Sequence, residues 1–346
     1  MATNQKTVNS EETKMSKPIF VGVDDGHYAV KVFTENEKIS LPSRALSGRH
    51  LLSMQNQDEG FYTTEEGVTY TVSEYLQNYE DTRYREFPKS PLVRVLIHAA
   101  LRKAGLGGKD VIVTTGLPVS YYYFPSGQKD ENLIRGKKEN LSKKVICGTL
   151  KSANIVSNTV TAEAIAAYVD QLMDLDGNRT AQYEDIKAST VGVIDIGGKT
   201  TDCAVIIPGG NQVDAVRSGS SDHGVLQLME ALEARLRNMF DLGNVPPRLV
   251  ESAIAKGTVK IAGEEKNVTD VVTAEKERLA EQIMSGVRHR IGDGKDLDFI
   301  LFVGGGSIVM RDQLARNFQH CRFAEDAEYA NARGMYKLAK YVYGTD

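Results

Sequence analysis

The sequence has few cysteines and no long apolar run. Its three cysteines, Cys147, Cys203 and Cys321, are too few and too widely spaced for a disulfide framework or a zinc site. No apolar segment approaches the ~20 residues that a transmembrane helix needs. Residues 1–18 also lack the apolar region of a secretory signal. We therefore expect a protein of the cytoplasm, where thiols stay reduced.

Two common nucleotide-binding signatures are missing as well. The sequence contains neither GxxxxGKS nor GxxxxGKT, which excludes a P-loop protein. No GxGxxG follows the first apolar strand, which counts against a Rossmann dehydrogenase. Positive charge is not in excess either, because 42 Lys and Arg against 46 Asp and Glu give a net charge of −4. This balance argues against extensive DNA binding by this chain alone.

Two segments of the chain share one design, which is an apolar strand, an acid, a glycine turn and a returning strand. They are IFVGVDDGHYAVKVF, residues 19–33, and VGVIDIGGKTTDCAVI, residues 191–206. Their separation of about 170 residues is a weak internal repeat and predicts two similar α/β lobes that face one another. The 346 residues, 41% of them hydrophobic and 25% charged, suffice for two such lobes in a soluble globular protein.

Further strands and helices alternate around these segments. A hairpin is expected around Gly67, and apolar strands at 110–118 and 299–307, the last of which contains three glycines. Apolar side chains at helical spacing predict four helices, at 91–106, 162–175, 275–291 and 332–342. One more helix follows the second matched segment and is expected to bury Val225, Leu228, Met229, Leu232, Leu236 and Met239.

The two glycine turns can hold the phosphates of a nucleotide together with Mg²⁺. Phosphate oxygens need backbone N–H groups at close range, which Gly26, Gly197 and Gly198 permit. Mg²⁺ takes only one or two carboxylates beside water and phosphate, and Asp24 and Asp195 stand at the strand ends. An acid before glycine is usually only a turn. Two matched copies, with glycines after a third strand, make a nucleotide site the better hypothesis.

Five segments resemble, in order, the five motifs of the superfamily that contains actin, sugar kinases and DnaK-type chaperones. They are VGVDDGHYAVK (first phosphate loop), TAEAIAAY (first connecting helix), VIDIGGKTTD (second phosphate loop), FVGGGS (adenosine motif) and NARGMYKLA (second connecting helix). Together they span Val21 to Ala339, nearly the whole chain. The resemblance implies an α/β actin-like fold, with two similar ribonuclease H-like lobes around a nucleotide cleft.

Within this superfamily the chain most resembles the ParM/StbA-type plasmid segregation proteins. The similarity lies in the paired acids of VDDG, in TTGLPVSYYY, in DENLIRGKKENLSKKV and in GMY near the C-terminus. It implies a bacterial actin-like ATPase that binds ATP or GTP with Mg²⁺ and assembles head to tail into filaments. It also implies a small DNA-binding adaptor of the ParR type on a plasmid centromere. Neither a membrane nor specific DNA contact by this chain is implied.

The same resemblance assigns expected roles to individual residues. Asp24 and Asp195 match the aspartates that hold metal and phosphate, and Glu163 matches the glutamate that orients or activates the attacking water. Glu163 and Asp195 are therefore the expected catalytic residues. The expected nucleotide contacts are Asp24, Asp25, Gly26, His27, Lys31, Gly197, Gly198, Lys199, Thr200, Gly304, Gly305 and Gly306.

His27 and Lys199 depart from the family pattern. His27 stands where family members commonly have Ser or Thr, and its imidazole either donates the same bond to phosphate or points away. Lys199 replaces a usual Thr. It either adds positive charge near the phosphates or is a solvated tip, and we favour the solvated tip.

One basic run is the sole candidate for direct DNA contact. Glu139 interrupts it, so we interpret it as a solvated face or a subunit contact rather than a DNA site. Its members are Arg135, Lys137, Lys138, Lys143 and Lys144.

The motifs also predict how the chain divides. The expected segments are a disordered polar tail at 1–17, lobe I at 18–178 with a small subdomain at about 40–90, lobe II at 179–324, and a C-terminal helix at 325–346 that completes lobe I. Met1 and Met15 are both possible starts. The functional alternatives are a non-polymerising phosphotransferase and an ATP-driven chaperone or reactivase of the same superfamily.

Overall fold

The strands of this chain form two main sheets and two small ones. The computed structural model describes residues 17–51 and 60–344, so the predicted polar tail, apart from Lys17, and residues 52–59 of the predicted small subdomain lie outside the described residues. The strands in these ranges are β1 (Ile19–Asp25), β2 (Ala29–Phe33), β3 (Lys38–Pro42), β4 (Ala45–Ser47), β5 (Phe61–Thr64), β6 (Thr69–Val72), β7 (Asp110–Leu117), β8 (Val145–Ile146), β9 (Asn154–Ala162), β10 (Val191–Ile196), β11 (Thr201–Ile206), β12 (Gly219–Ser221), β13 (Thr258–Ile261), β14 (Glu264–Asn267), β15 (Phe299–Val303) and β16 (Cys321–Phe323). The α-helices in the same ranges are α1 (Pro91–Lys103), α2 (Val119–Tyr122), α3 (Glu131–Leu141), α4 (Glu163–Leu172), α5 (Tyr183–Ala188), α6 (Val225–Phe240), α7 (Pro247–Lys256), α8 (Thr269–Ile291), α9 (Gly305–Val309), α10 (Arg311–Ala315) and α11 (Ala330–Leu338).

The two main sheets have the same strand order and the same strand directions. The first runs β3-β2-β1-β7-β9 and the second β12-β11-β10-β15-β16. In each sheet, three strands pair antiparallel and two further strands lie parallel to the first of them. One topology therefore occurs in each half of the chain. This repetition confirms the two similar α/β lobes that the matched segments predicted, and we call them lobe I and lobe II.

The central strands are buried on both faces because helices cover the sheets. Every residue of β10 and β15 is buried, which is typical of parallel strands between helices. Helix α1 packs on the first sheet, and the Ser90 hydroxyl caps its start by accepting a hydrogen bond from Val93 N at 3.2 Å. Helices α6 and α8 supply the matching layer of lobe II.

Helices α4 and α11 cross where the lobes join. A Cβ on Gly334 of α11 would overlap the carbonyl oxygen of Ala166 in α4, so only glycine allows this approach. The Asp170 carboxylate of α4 accepts hydrogen bonds from Arg333 at 2.6 and 2.7 Å and from Lys337 at 2.6 Å. These buried contacts fix how the two connecting helices cross.

Two of the helix predictions need correction. Met239 is 49% exposed and does not belong to the buried face of α6. Phe240, four residues after Leu236, continues that face instead and packs on the lobe II core. Helix α8 begins at Thr269 rather than near 275, because Val272 already lies on its buried face.

The expectations about disulfides and membrane-spanning helices can be compared with the structure. All three cysteines are free thiols. Among residues 17–51 and 60–344, no helix has the length and apolar character needed to cross a membrane.

Candidate active site

The turns of the two matched hairpins meet where the lobes face each other. Strand β1 ends in Asp24 and Asp25, and β10 carries Asp195 next to its last residue. A Cβ on Gly198 would lie 2.7 Å from Tyr28 N, so the second turn packs against the first. A shared cavity of about 50 Å³ brings together these predicted site residues: Asp24, Asp25, Gly26, His27, Lys31, Glu163, Asp195, Gly197, Gly198, Lys199, Thr200, Gly304 and Gly305.

Asp24 is held by a lysine on the returning strand of its own hairpin. Lys31 Nζ donates to Asp24 Oδ2 at 3.0 Å, and both side chains are largely buried. The two residues are direct partners across the β1–β2 pairing. The sheet register therefore places a positive charge beside the first phosphate turn.

Asp195 lies in a crowded acidic environment. Burial, and then the charges of Asp24 and Asp202, raise its pKa to about 7. Asn331, near the start of α11, donates from Nδ2 to Asp195 Oδ2 at 2.6 Å. A carboxylate that is crowded by other acids is stabilised by a cation, so this position fits a Mg²⁺ ligand.

Glu163 opens helix α4 directly beside these aspartates. A Cβ on Gly116 would lie 2.5 Å from Glu163 Cγ and 3.1 Å from Oε1, so glycine makes room for this side chain. Burial, and then repulsion from Asp24, raise the pKa of Glu163 well above its usual value. A raised pKa is what a carboxylate needs to accept a proton from water near neutral pH.

Asp202 is a further acid in this region and was not among the residues predicted from the sequence. It lies directly opposite Asp195 across the β10–β11 hairpin, so the hairpin register could have identified it. Its carboxylate accepts hydrogen bonds from Val119 N at 2.9 Å and from the Ser220 hydroxyl. Burial raises its pKa to about 6. Asp202 thus joins the second phosphate hairpin to the start of α2 in lobe I.

Lys137 is buried in the structure, although it was interpreted from the sequence as part of a solvated basic run. Its Nζ donates to both carboxylate oxygens of Asp25, at 2.8 and 2.7 Å, and to the carbonyl oxygen of Gly116. The side chains of this ion pair are only 2% and 3% exposed. For Lys137 the interpretation of the basic run as a solvated face is therefore wrong. Three acceptors satisfy all three ammonium donors, which explains how lysine tolerates this burial.

Family models match both halves of the chain. The model described as plasmid segregation protein ParM, N-terminal, matches residues 19–174. The model described as archaeal actin homologue MreB-like, C-terminal, matches residues 193–316. The two models together indicate an actin-like fold. The resemblance to ParM/StbA-type proteins, predicted from the motifs, is confirmed by the first of these models. No curated protein sequence matches this actin-like chain.

Solved structures of other actin-like proteins share the fold over nearly the whole chain. The archaeal actin homologue Ta0583, in complex with ADP, is 21% identical over 93% of this chain and 99% of its own, with a TM-score of 0.73. ParM in a 15-stranded filament from Clostridium botulinum is 17% identical over 94% and 99%, with a TM-score of 0.72. Bacillus thuringiensis ParM with AMPPNP is 17% identical over 95% and 100%, with a TM-score of 0.68. These similarities establish the actin-like fold.

The two residues that depart from the family pattern, His27 and Lys199, both line the cavity. The His27 ring packs on Phe87, with centroids 4.9 Å apart. Burial, and then the charge of Lys199, lower the pKa of His27 to about 4, so the ring is neutral at pH 7. Lys199 is not a solvated tip, because its Nζ donates to the hydroxyl of Tyr121 at 3.2 Å. It therefore bridges from lobe II to lobe I.

Of the remaining predicted residues, some line the cavity and others pack behind the residues that line it. Gly304 has φ 82° and a Cβ there would overlap Asp195 Oδ1, so this turn requires glycine. Gly306 is not among the residues that line the cavity, and a Cβ there would overlap Ile196. Thr200 lines the cavity, and its hydroxyl lies 3.4 Å from Asp202 Oδ2.

The acidic residues fit Mg²⁺ held together with a nucleotide better than a metal held by protein alone. In the described part of the chain, no group of three or more His, Cys, Asp or Glu side chains is arranged to hold a metal ion. Mg²⁺ usually takes one or two carboxylates and completes its octahedron with phosphate oxygens and water. Asp24 and Asp195 supply such a pair, one from each lobe.

Proposed function

We propose that this chain is an ATPase that polymerises into filaments and segregates plasmid DNA through a DNA-binding adaptor. The observation that carries the proposal is the match of residues 19–174 to the N-terminal ParM model. It is supported by the acidic cavity that both hairpin turns line. ParM of Clostridium botulinum forms a filament, and we extend that property to this chain.

The proposed chemistry uses residues from both lobes. Asp24 and Asp195 would hold Mg²⁺, which supplies positive charge to the transferring phosphoryl group. Glu163 orients the attacking water and accepts its proton, because it lines the cavity beside Asp24 and Asp195 and burial raises its pKa above the usual value of a glutamate. Lys31 holds the Asp24 carboxylate in place by donating a hydrogen bond to its Oδ2. The backbone of the two glycine turns cradles the phosphates.

ATP is the proposed nucleotide, with GTP as the alternative. Ta0583 was solved with ADP and Bacillus thuringiensis ParM with AMPPNP, and both ligands carry adenine. We place the protein in the cytoplasm, where a plasmid and its adaptor would also be found.

The adaptor's docking position is proposed to be a groove of about 830 Å³ between the lobes. Tyr123 and Phe124 line it from lobe I, and Val213 and Val216 from lobe II. Phe124 is 45% exposed and Val216 is 87% exposed, an unusual exposure for apolar side chains on neighbouring walls. An apolar segment of the adaptor would cover them at the end of a filament, where no further subunit binds.

Sedimentation together with phosphate release tests the proposal. The purified protein is expected to hydrolyse ATP in the presence of Mg²⁺ and to pellet with Mg²⁺ and AMPPNP, while it stays in the supernatant without nucleotide. A head-to-tail contact that does not close produces such open filaments. ATP hydrolysis by a protein that stays monomeric at tens of micromolar would instead support the phosphotransferase or the chaperone alternative.

A further inference from the structure

Tyr28, at the tip of the first phosphate turn, reaches out of lobe I and contacts lobe II at three points. Its backbone packs against Gly198, where a Cβ would lie 2.7 Å from Tyr28 N. Its ring packs against the hydrophobic core of lobe II. Its hydroxyl donates to Glu251 Oε1, on helix α7, at 3.2 Å. Movement of lobe II therefore acts directly on the turn that faces the phosphates.

Glu251 has a second partner in lobe I. Arg44 Nη2 donates to the same oxygen, Glu251 Oε1. The other guanidinium nitrogen, Nη1, donates to the carbonyl oxygen of Glu74 at 2.7 Å, and the group lies 5.5 Å from the centre of the Tyr79 ring. The Arg44 side chain is 6% exposed and that of Glu251 is 33% exposed, so this ion pair is partly buried and is screened less than a fully exposed one.

Ser43 connects these contacts to the phosphate turn itself. Its hydroxyl donates to the carbonyl oxygen of Gly26 at 2.7 Å. Its backbone N donates to the carbonyl oxygen of Tyr28 at 2.9 Å. Glu251 is thus joined to the first phosphate turn by two routes, one through the Tyr28 side chain and one through Arg44 and its neighbour Ser43.

The cavity under these contacts is too small for the proposed ligand. It measures about 50 Å³, whereas pockets for small ligands are usually about 300–1,000 Å³. Entry and exit of a nucleoside triphosphate therefore require the lobes to separate. Separation breaks the contacts of Glu251 with Tyr28 and Arg44.

We propose that Glu251 is a positioning residue that holds the nucleotide cleft closed through Tyr28 and Arg44, and so limits how fast bound nucleotide leaves. The inference rests on the proposed nucleotide-binding function. It adds a residue outside the motif segments as the determinant of nucleotide exchange.

The test is the rate at which ADP with a fluorescent label on its ribose leaves the full-length protein when excess ATP is added. Glu251→Gln keeps the size of the side chain but removes the charge. It should speed ADP release about tenfold, because a hydrogen bond to a charged group is lost. Tyr28→Phe removes only the hydroxyl and is expected to speed release by a smaller factor. Thermal unfolding of each variant shows whether the fold is retained.

Glu230→Gln is the matched control. Glu230 on α6 also pairs with an arginine of lobe I, Arg83, but the two side chains are 56% and 34% exposed. Neither side chain contacts the phosphate turn itself, which on this side accepts a hydrogen bond from the Thr82 hydroxyl at the His27 carbonyl oxygen. Exposed pairs contribute little, so release should be unchanged.

Four outcomes would count against the inference. Normal release from Glu251→Gln would overturn it, and if that variant does not fold, normal release from Tyr28→Phe would do the same. Equal acceleration by Glu230→Gln would show that any contact between the lobes has this effect, which also overturns the specific role of Glu251. If the unaltered protein does not bind labelled ADP, the proposed function fails, and this inference fails with it.

Discussion

Replacing Lys137 by methionine tests the buried ion pair at the first phosphate turn. Methionine keeps most of the apolar stem but removes the ammonium group, which leaves Asp25 and the Gly116 carbonyl without their donor. Both side chains of the pair are at most 3% exposed, so solvent cannot replace the lost contact. Breaking a buried pair on one side typically costs about 3–5 kcal/mol, and we expect a loss of this size in the free energy of unfolding.

The loss of unfolding free energy caused by Lys137→Met should be larger at high pH than at low pH. Burial raises the pKa of Asp25, and the charge of Lys137 opposes that rise. Without the ammonium group the pKa of Asp25 rises further, so the folded variant binds a proton more tightly than the unfolded chain does. The stability of the variant then falls as the pH increases from the pKa of Asp25 in the unfolded chain to its raised pKa in the folded variant. We expect Lys137→Met to cost less at pH 5 than at pH 8.

Urea unfolding of nucleotide-free protein at the two pH values measures this effect. Lys138→Met is the matched control, because the neighbouring lysine is exposed and should change stability by no more than about 0.5 kcal/mol. The double variant Asp25→Asn with Lys137→Met removes both charges and should recover much of the loss. Equal stability of Lys137→Met and Lys138→Met would refute the reasoning.

Four other predictions concern the site, the crossing of helices α4 and α11, and DNA. Glu163→Gln should keep nucleotide binding but slow phosphate release by about 10²–10⁴-fold, and a normal rate would show that another group orients the water. Asp195→Asn should abolish Mg²⁺-dependent nucleotide binding, yet raise the melting temperature of nucleotide-free protein more at pH 8 than at pH 5, because the pKa of Asp195 is about 7 and its charge is unfavourable above that pH. Gly334→Ala should destabilise the protein by about 1–3 kcal/mol or more, because its Cβ would overlap the Ala166 carbonyl. Gly243→Ala is the control, because Gly243 has open space around it, and it should not destabilise the protein. Urea unfolding measures both variants. An electrophoretic shift at physiological salt should reveal no tight, sequence-specific DNA binding by this chain, since the four exposed residues of the basic run give only salt-sensitive attraction.

The hairpins and lobes were predictable because their signals are local. A short sequence of apolar residues followed by an acid and glycine predicts where a strand ends, and it places the acid at that strand end. Asp24 and Asp195 could therefore be identified one hairpin at a time. The repeated design then predicted two lobes, and the two sheets have the same strand order.

Other contacts depend on packing between distant segments and were not predicted. Lys137 was interpreted with its charged neighbours, although it lies three residues after Ile134 and four before Leu141, on the buried stripe of α3. That spacing was a usable signal. By contrast, no local pattern indicates that Asn331 bonds to Asp195, or that Tyr28 and Glu251 meet, because those contacts join segments far apart in sequence.

Electron microscopy of the purified protein tests the central claim most directly. Samples at tens of micromolar would be imaged with Mg²⁺ and AMPPNP, with Mg²⁺ and ADP, and without nucleotide. We expect filaments with AMPPNP and none without nucleotide, because the proposed function is assembly that depends on bound nucleotide. Monomers under all three conditions, from protein that binds AMPPNP, would contradict it.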